Sequence, residues 1–519
     1  MTRPSVAELV YDRIVGGARI VFLGGVLAAL FTVAGRTVVA RLFAPDVYGA
    51  FSIGVTFLLL VGVLGYGAVS RGIARQVSFA IEEDGDGDPA VFASWGLLVI
   101  VGATVVLTAF ILAGAGEVAR VVFDEPAYEA PIRTVGLGLP FFGLIYGLAS
   151  TFRGYGRAGG RVLFYDVART ASFPLIVLAG ALLIGTDPIV AYAAFPVSLG
   201  VTALGFAAYT ARHPDAELER SPRRLLANRH QLGTLVRFSL PLLLSGIFLK
   251  LMTRADTFMI GMFLPPAAVG QYAAVRPLLR PISVVWMSMI WMYTPLISSL
   301  TARSAMDRIQ QIYLAMTKWF CLLTYPLAAT VALFPRSILL ALFGPEYVPA
   351  SLALRLVAAG FFLGNVFGPT GATLTGLGHT KVLLAANAAA AAVNLLLNVA
   401  LIPRFGLAGA ALGTITAQSV RNLLRLAVLY RRHSVHALRG EFVAPTLLAT
   451  LLVLGLRGAL AALGPPGVGT VASFAGLTFL VYLAAYPATD SVTPADREMA
   501  GLIYRKTRVA LGRTPTLGR

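Results

Sequence analysis

This 519-residue chain holds one cysteine and five histidines. Cys321 lies in an apolar run, so no intrachain disulfide is available. His213, His230, His379, His433 and His436 fall in polar loops or at helix ends and form no metal-ligand cluster. Charge is scarce, at 13% of residues, and acidic groups are outnumbered 24 to 42. The acidic run EEDGDGD at Glu82–Asp88 lacks EF-hand spacing and reads as a solvated loop. Short alternating segments of the barrel kind are missing, which excludes a transmembrane barrel. Paired carboxylates on rigid elements are missing too. A catalytic site, a metal and a cofactor are therefore not expected, and the chain reads as a non-enzyme.

Hydrophobic residues are plentiful, at 57% with mean hydropathy +0.79. Apolar runs recur at ~20 residues, the length a helix needs to cross a bilayer. They must be helical, because lipid offers the backbone no hydrogen-bond partner. The reading is an all-α integral membrane protein with about fourteen transmembrane helices. Expected spans are 17–41, 50–70, 91–114, 131–151, 162–184, 189–211, 236–261, 270–297, 312–334, 350–372, 382–402, 407–430, 443–461 and 468–487. Arg3, Asp12, Arg13 and Arg19 precede the first span without a small-residue cleavage site, so it reads as a retained helix.

The net charge of +18 would suggest nucleic acid in a soluble chain. Here the arginines crowd alternate loops, among them Arg71 and Arg75, Arg153 to Arg161, Arg220 to Arg229, and Arg431 to Arg439. The other loops are short and poor in cations. This asymmetry predicts a multi-pass protein of the cell (cytoplasmic) membrane with both termini cytoplasmic, and no nucleic-acid partner.

Two short motifs recur at one spacing. LFAPDVYGAF at Leu42–Phe51 returns as FLPPAAVGQY at Phe263–Tyr272, about 221 residues on, and TFRGYGR at Thr151–Arg157 as TLTGLGH at Thr373–His379, about 222 on. Arg133 and Arg355 share that register. A duplicated unit with an even number of crossings puts both copies in parallel orientation. The predicted organisation is an N-terminal six-helix lobe (1–211), a cytoplasmic linker (212–235) and a pseudo-symmetric C-terminal six-helix lobe (236–430). An appended hairpin (431–487) and a cytoplasmic tail (488–519) follow. GYGRAG at Gly154–Gly159 has the G-x-G-x-x-G spacing but follows no strand, so these glycines, like GLG at Gly376–Gly378, predict tight turns.

Cations inside spans cost ~2.5–3.5 kcal/mol at mid-bilayer and should face protein or water. Arg36 lies in the first span, Lys250 and Arg254 in the seventh, and Arg276 and Arg280 in the eighth. Each of the last two pairs is four apart and so shares a helix face. Asn387, Asn394 and Asn398 make a polar stripe on the eleventh span, and Gln418, Arg421 and Arg425 line one face of the twelfth. The spans hold two acids: Asp166, which can pair with Arg169 three residues on, and Asp256. This set predicts a water-filled cationic cavity for an anion such as phosphate or pyrophosphate.

Longer stretches carry a resemblance: ARLFAPDVYGAFSIG at Ala40–Gly54, GYGAVSRGIAR at Gly65–Arg75, RFSLPLLLSGIFLKLMTRADTFMIGMFLPPAAVGQYAAVRPL at Arg237–Leu278, ALFGPEYVPAS at Ala341–Ser351, and NLLLNVALIPRFGLAGAALGT at Asn394–Thr414. On these the chain resembles the Wzx-like polysaccharide or oligosaccharide-lipid flippases of the multidrug/oligosaccharidyl-lipid/polysaccharide exporter (MOP) superfamily. The resemblance implies two six-helix lobes around a central cavity, alternating access, and a lipid-linked sugar as cargo. It also places the family's recurring acidic position on Asp256. The expected function is flipping a prenyl-(pyro)phosphate-linked oligosaccharide for surface polysaccharide or glycoprotein assembly. Membrane lipids and glycan-assembly enzymes are the other expected partners, and the protein is expected to be a monomer. The alternatives are a multidrug/cation antiporter of the same superfamily and, less favoured, a membrane glycosyltransferase or ligase.

Overall fold

The computed structural model describes residues 19–81, 87–212, 217–436, 440–461 and 467–492. Among these residues every regular element is helical. The helices are Arg19–Leu42 (α1), Pro45–Gly62 (α2), Val69–Ile81 (α3), Pro89–Glu117 (α4), Glu129–Gly136 (α5), Leu139–Gly154 (α6), Arg169–Leu183 (α7), Pro188–Arg212 (α8), Pro222–Ala227 (α9) and Arg229–Phe263 (α10). Then come Pro266–Ala273 (α11), Val275–Leu278 (α12), Arg280–Ala302 (α13), Met306–Leu333 (α14), Pro335–Leu342 (α15), Ser351–Val366 (α16), Thr370–Gly376 (α17), Thr380–His433 (α18), Gly440–Ala461 (α19) and Val468–Ala488 (α20). Helix starts follow local chemistry: Pro45, Pro89, Pro222, Pro266 and Pro335 occupy first-turn positions, where a missing N–H costs nothing.

Among the described residues eleven helices are long and apolar enough to cross a membrane, or twelve if the bent pair Pro126–Gly136 and Leu139–Gly154 is one span. Within α18, Gly406 takes φ 55° and ψ −133°, so the chain folds back between the expected eleventh and twelfth spans. The cation-bearing α10 runs unbroken for 35 residues. It starts at Arg229, inside the stretch expected to be linker.

The repeated motifs are structural equivalents. At the end of α6 and of α17 the chain turns through Gly156 (φ +69°) and Gly378 (φ +79°). Arg157 N–H donates to Phe152 C=O at 2.8 Å, and His379 N–H to Leu374 C=O at 2.9 Å. These are matching Schellman-type caps, and the left-handed conformation is why glycine stands at both. The other motif pair meets itself. A Cβ on Gly49 would lie 1.8 Å from Pro266 O, and one on Gly270 would lie 2.0 Å from Pro45 O. Helices α2 and α11 thus cross backbone to backbone, as small residues allow inside membranes. At one end of the bundle the crossing seals the gap between α2 and α11. Around it Arg41 donates to the Leu340, Ala341 and Leu342 carbonyls at 2.7–3.1 Å, and Gln271 Nε2 to Glu346 O at 2.9 Å.

At the opposite end the connection between α8 and α10 is fastened down. Asp88 caps α4 through Ala90 N–H and pairs with Arg224 at 3.1 Å. Arg224 also meets Glu219 at 2.8 Å, and Trp95 Nε1 donates to Leu225 O. Asp88, expected in a solvated loop, is instead a cap and an anchor. Residues 82–86 of that run lie outside the described residues, as does most of the tail. Tyr155 donates to Glu217 O at 3.0 Å, and burial pushes its phenol up to about 12. The appended helices α19 and α20 pack on α14, where Tyr325 stacks on Tyr482 at 4.5 Å and donates to Thr450 at 3.0 Å.

Two expectations based on α-helical spacing fail locally. Residues Arg161–Ala168 form a π-helix, so Arg169 no longer sits one turn above Asp166. Arg169 instead donates to Tyr165 O at 2.9 Å and lies over the Tyr165 ring. The eighth span is broken into α11, α12 and α13, because Pro277 and Pro281 lack donors and clash with the preceding turn. Arg276 and Arg280 therefore belong to different segments.

Candidate functional site

A cavity of about 400 Å³ lies beneath the α2–α11 seal. Arg36 reaches it from α1, Lys250, Arg254 and Asp256 from α10, Arg276 from α12, Arg280 from the first position of α13, and Gln418 from α18. Lys250 and Arg254 share the cavity face of the continuous α10, as their spacing requires. Arg276 and Arg280 arrive by a different route, since the broken segments turn both toward the same space.

The charges in this cavity do not cancel. Five cations face one carboxylate, and none of the five forms an ion pair within 4 Å among the described residues. Asp256 is 1% exposed; its Oδ2 accepts from the Tyr272 hydroxyl at 3.2 Å, while its Oδ1 has no partner. Arg276 Nη1 is likewise buried without a partner. Arg36 lies over the Phe51 ring at 5.0 Å and the Tyr48 ring at 5.9 Å, a cation–π contact. Buried donors left unpaired are costly, so their retention needs a compensating partner.

A larger cavity of about 990 Å³ adjoins the first and shares Thr253, Ser283, Phe361 and Gln418 with it. Asn387, Arg421, Arg425 and Lys381 line it opposite an apolar wall that includes Trp286, Met287 and Ile290. Arg425 donates to Asn387 Oδ1 at 2.6 Å, and the Nε groups of Arg421 and Arg425 are buried and unpaired. Asn394 and Asn398 line neither cavity. Asn394 Nδ2 donates to Thr414 at 3.4 Å and Asn398 Nδ2 to Asn394 Oδ1 at 3.3 Å. They join the two legs of α18 across the Gly406 fold-back, so the expected asparagine stripe divides between cavity and packing.

Sequence reasoning missed Tyr272, Lys381 and the second cavity. A signal for Tyr272 was present. At the repeat offset Phe51 corresponds to Tyr272 and Gly35 to Asp256, so the second copy carries both a hydroxyl and the carboxylate that it bonds.

This fold is shared with solved transporters of the MOP superfamily. The fold matches the lipid II flippase MurJ in an inward closed conformation with TM-score 0.69, over 91% of this chain and 98% of that one at 11% identity. It matches an inward-facing multidrug resistance MATE family transporter with TM-score 0.64, over 78% and 94% at 17% identity. At these identities the likeness is one of fold. The chain belongs to the polysaccharide biosynthesis protein family, whose model matches residues 14–301, more than half of its length; the MatE family model matches 241–400. The probable low-salt glycan biosynthesis flippase Agl15 of Haloferax volcanii is 25% identical over 197 residues, covering 38% of this chain and 41% of that protein. The chain thus matches less than half the length of its curated relatives. It is a multi-pass membrane protein.

Proposed function

We propose that the protein flips a prenyl-(pyro)phosphate-linked oligosaccharide across the cell membrane by alternating access. The observation that carries this reading is the surplus of unpaired cations in the central cavity. A sugar phosphate offers what those groups lack: anionic oxygens for guanidinium forks, and hydroxyls for Gln418, Asn387 and Tyr272. Hydrocarbon solvates neither, so such a head group needs a polar cavity, while its prenyl tail can stay in lipid. The relatives' family and fold support the same class of cargo. Loop charge supports both termini at the cytoplasmic face, which puts the α2–α11 seal outside. In this reading fourteen crossings form two six-helix lobes plus a hairpin, and the monomer works beside the enzymes that build and use the glycan.

A drug/cation antiporter is the second reading, favoured by the MatE match over 241–400. The cavity opposes it, because five cations against one carboxylate repel a cationic drug. Purified protein in vesicles holding a fluorescent prenyl-pyrophosphate oligosaccharide separates the two. Wild type should move the glycolipid. Arg254→Gln and Arg276→Gln should each slow it roughly tenfold to a hundredfold, the loss of one hydrogen bond to a charged group. Glycolipid movement unaffected by both substitutions, or rhodamine efflux without glycolipid movement, would sink the proposal.

A further inference from the structure

A third cavity, about 670 Å³, opens at the sealed end between α15, α16 and the appended α19. Three arginines line it, one from each helix: Arg336, Arg355 and Arg457. Its lining contains no Asp or Glu, and none of the three has an acidic partner among the described residues. Two of them are held in place by the end of α14. Arg355 Nε donates to Ala332 O at 3.1 Å, and Arg457 Nε donates to Leu333 O at 3.5 Å with its guanidinium 4.8 Å over the Phe334 ring. Capping the last carbonyls of α14 in this way uses one N–H of each fork and fixes its direction. Arg336 makes no such contact and is exposed.

The repeat makes the feature more pointed. In the first copy Arg133 pairs with Glu129, four residues earlier, at 3.0 Å. In the second copy the residue four before Arg355 is Ser351, so the acid is missing where the cation remains. Two further arginines have joined it, at the end where the other loops are poor in cations. Leu340, 47% exposed, lines the same cavity, and Leu352, 53% exposed, lies one turn before Arg355 on α16. Three unneutralised guanidinium groups beside an exposed leucine wall form a polar pocket with an apolar rim.

We propose that this cavity binds the phosphate of an anionic membrane-lipid head group, held between the second lobe and the appended hairpin. Guanidinium forks match phosphate oxygens bidentately, and the leucine rim suits the acyl or isoprenoid chains below. A zwitterionic head group is disfavoured, because its own cation would meet three arginines. The chemistry holds in either orientation, which sets only the leaflet.

The test uses the purified full chain in nanodiscs of phosphatidylglycerol or phosphatidylcholine, with retained lipid counted by native mass spectrometry. Phosphatidylglycerol should be retained in preference to phosphatidylcholine. Arg336→Gln, which disturbs no capping bond, should weaken retention about tenfold, and so should Arg355→Gln. Millimolar inorganic phosphate should fail to displace the lipid. Equal retention of both lipids, or retention unchanged in both variants, overturns the proposal; displacement by inorganic phosphate overturns the lipid source in favour of a soluble anion. Retention is read without any translocation, so this result and that of the glycolipid assay are independent.

Discussion

The two occurrences of the repeated motifs agree in backbone, and the helices that carry the two copies disagree in charge. Gly156 and Gly378 make the same left-handed turn with the same pair of hydrogen bonds, and Gly49 and Gly270 make reciprocal contacts at one crossing. Yet at the repeat offset Lys250, Arg254 and Asp256 stand where the first copy has Ala29, Val33 and Gly35. Arg276 and Arg280 likewise replace Val55 and Leu59. A turn or a close crossing is fixed by sterics that both halves must satisfy. A cavity charge needs to be supplied only once, because both copies face the same space. Val55 in fact lines the central cavity together with Arg276. Four of the five cavity cations and its carboxylate thus stand in the second copy, and Arg36 alone comes from the first.

The seal is the strongest test of the symmetric part. An alanine Cβ at Gly49 or Gly270 meets a carbonyl oxygen at 1.8–2.0 Å, and backbone cannot step aside cheaply. Each of Gly49→Ala and Gly270→Ala should cost the sealed state about 1–3 kcal/mol, the usual penalty of overpacking. Thr56 lines the cavity below the seal and Cys321 is buried, so Thr56→Cys labelling by an impermeant thiol reagent from the sealed side reports opening. Labelling should rise in both glycine variants by similar factors. A rise in only one would mean that the crossing is not reciprocal.

The turn glycines are the next, smaller test. A Cβ at Gly156 or at Gly378 meets nothing within 4 Å, so substitution there costs only the left-handed conformation, about 1–2 kcal/mol. Gly156→Ala and Gly378→Ala should lower thermal stability by matching amounts while leaving cavity labelling unchanged. Unequal losses would show that one copy carries more of the fold's stability at this end.

The legible part of this molecule is the part governed by regular geometry. The all-helical character of the apolar runs, the paired turns, and the shared face of Lys250 and Arg254 follow from regular geometry, the last because α10 is unbroken. The illegible part lies where the period fails. Pro277 and Pro281 break the eighth span, so Arg276 and Arg280 reach one cavity for a reason their spacing did not supply. A π-helix replaces the α-helical turn from Asp166 to Arg169, and the expected ion pair does not form. The fold-back at Gly406 packs Asn394 and Asn398 between the legs of one hairpin and leaves Asn387 facing the cavity. Contacts between distant segments, such as Asp88 with Arg224, have no local signature at all.

The smallest effect on stability comes from restoring the lost symmetry at Arg355. Ser351→Glu recreates the spacing of Glu129 and Arg133, with the acid N-terminal to the cation and at the start of α16, where the helix dipole also favours it. The ion pair is solvent-exposed in the first copy, so it should add at most about 0.5 kcal/mol, near the limit of a thermal-unfolding measurement. Its effect on lipid should be larger, since the glutamate competes for the guanidinium and adds a negative charge beside the phosphate. Phosphatidylglycerol retention should fall about tenfold, with stability almost unmoved. Retention that survives Ser351→Glu would mean that the missing acid is not what frees Arg355, and the asymmetry at this end would then be a difference in sequence without a difference in binding.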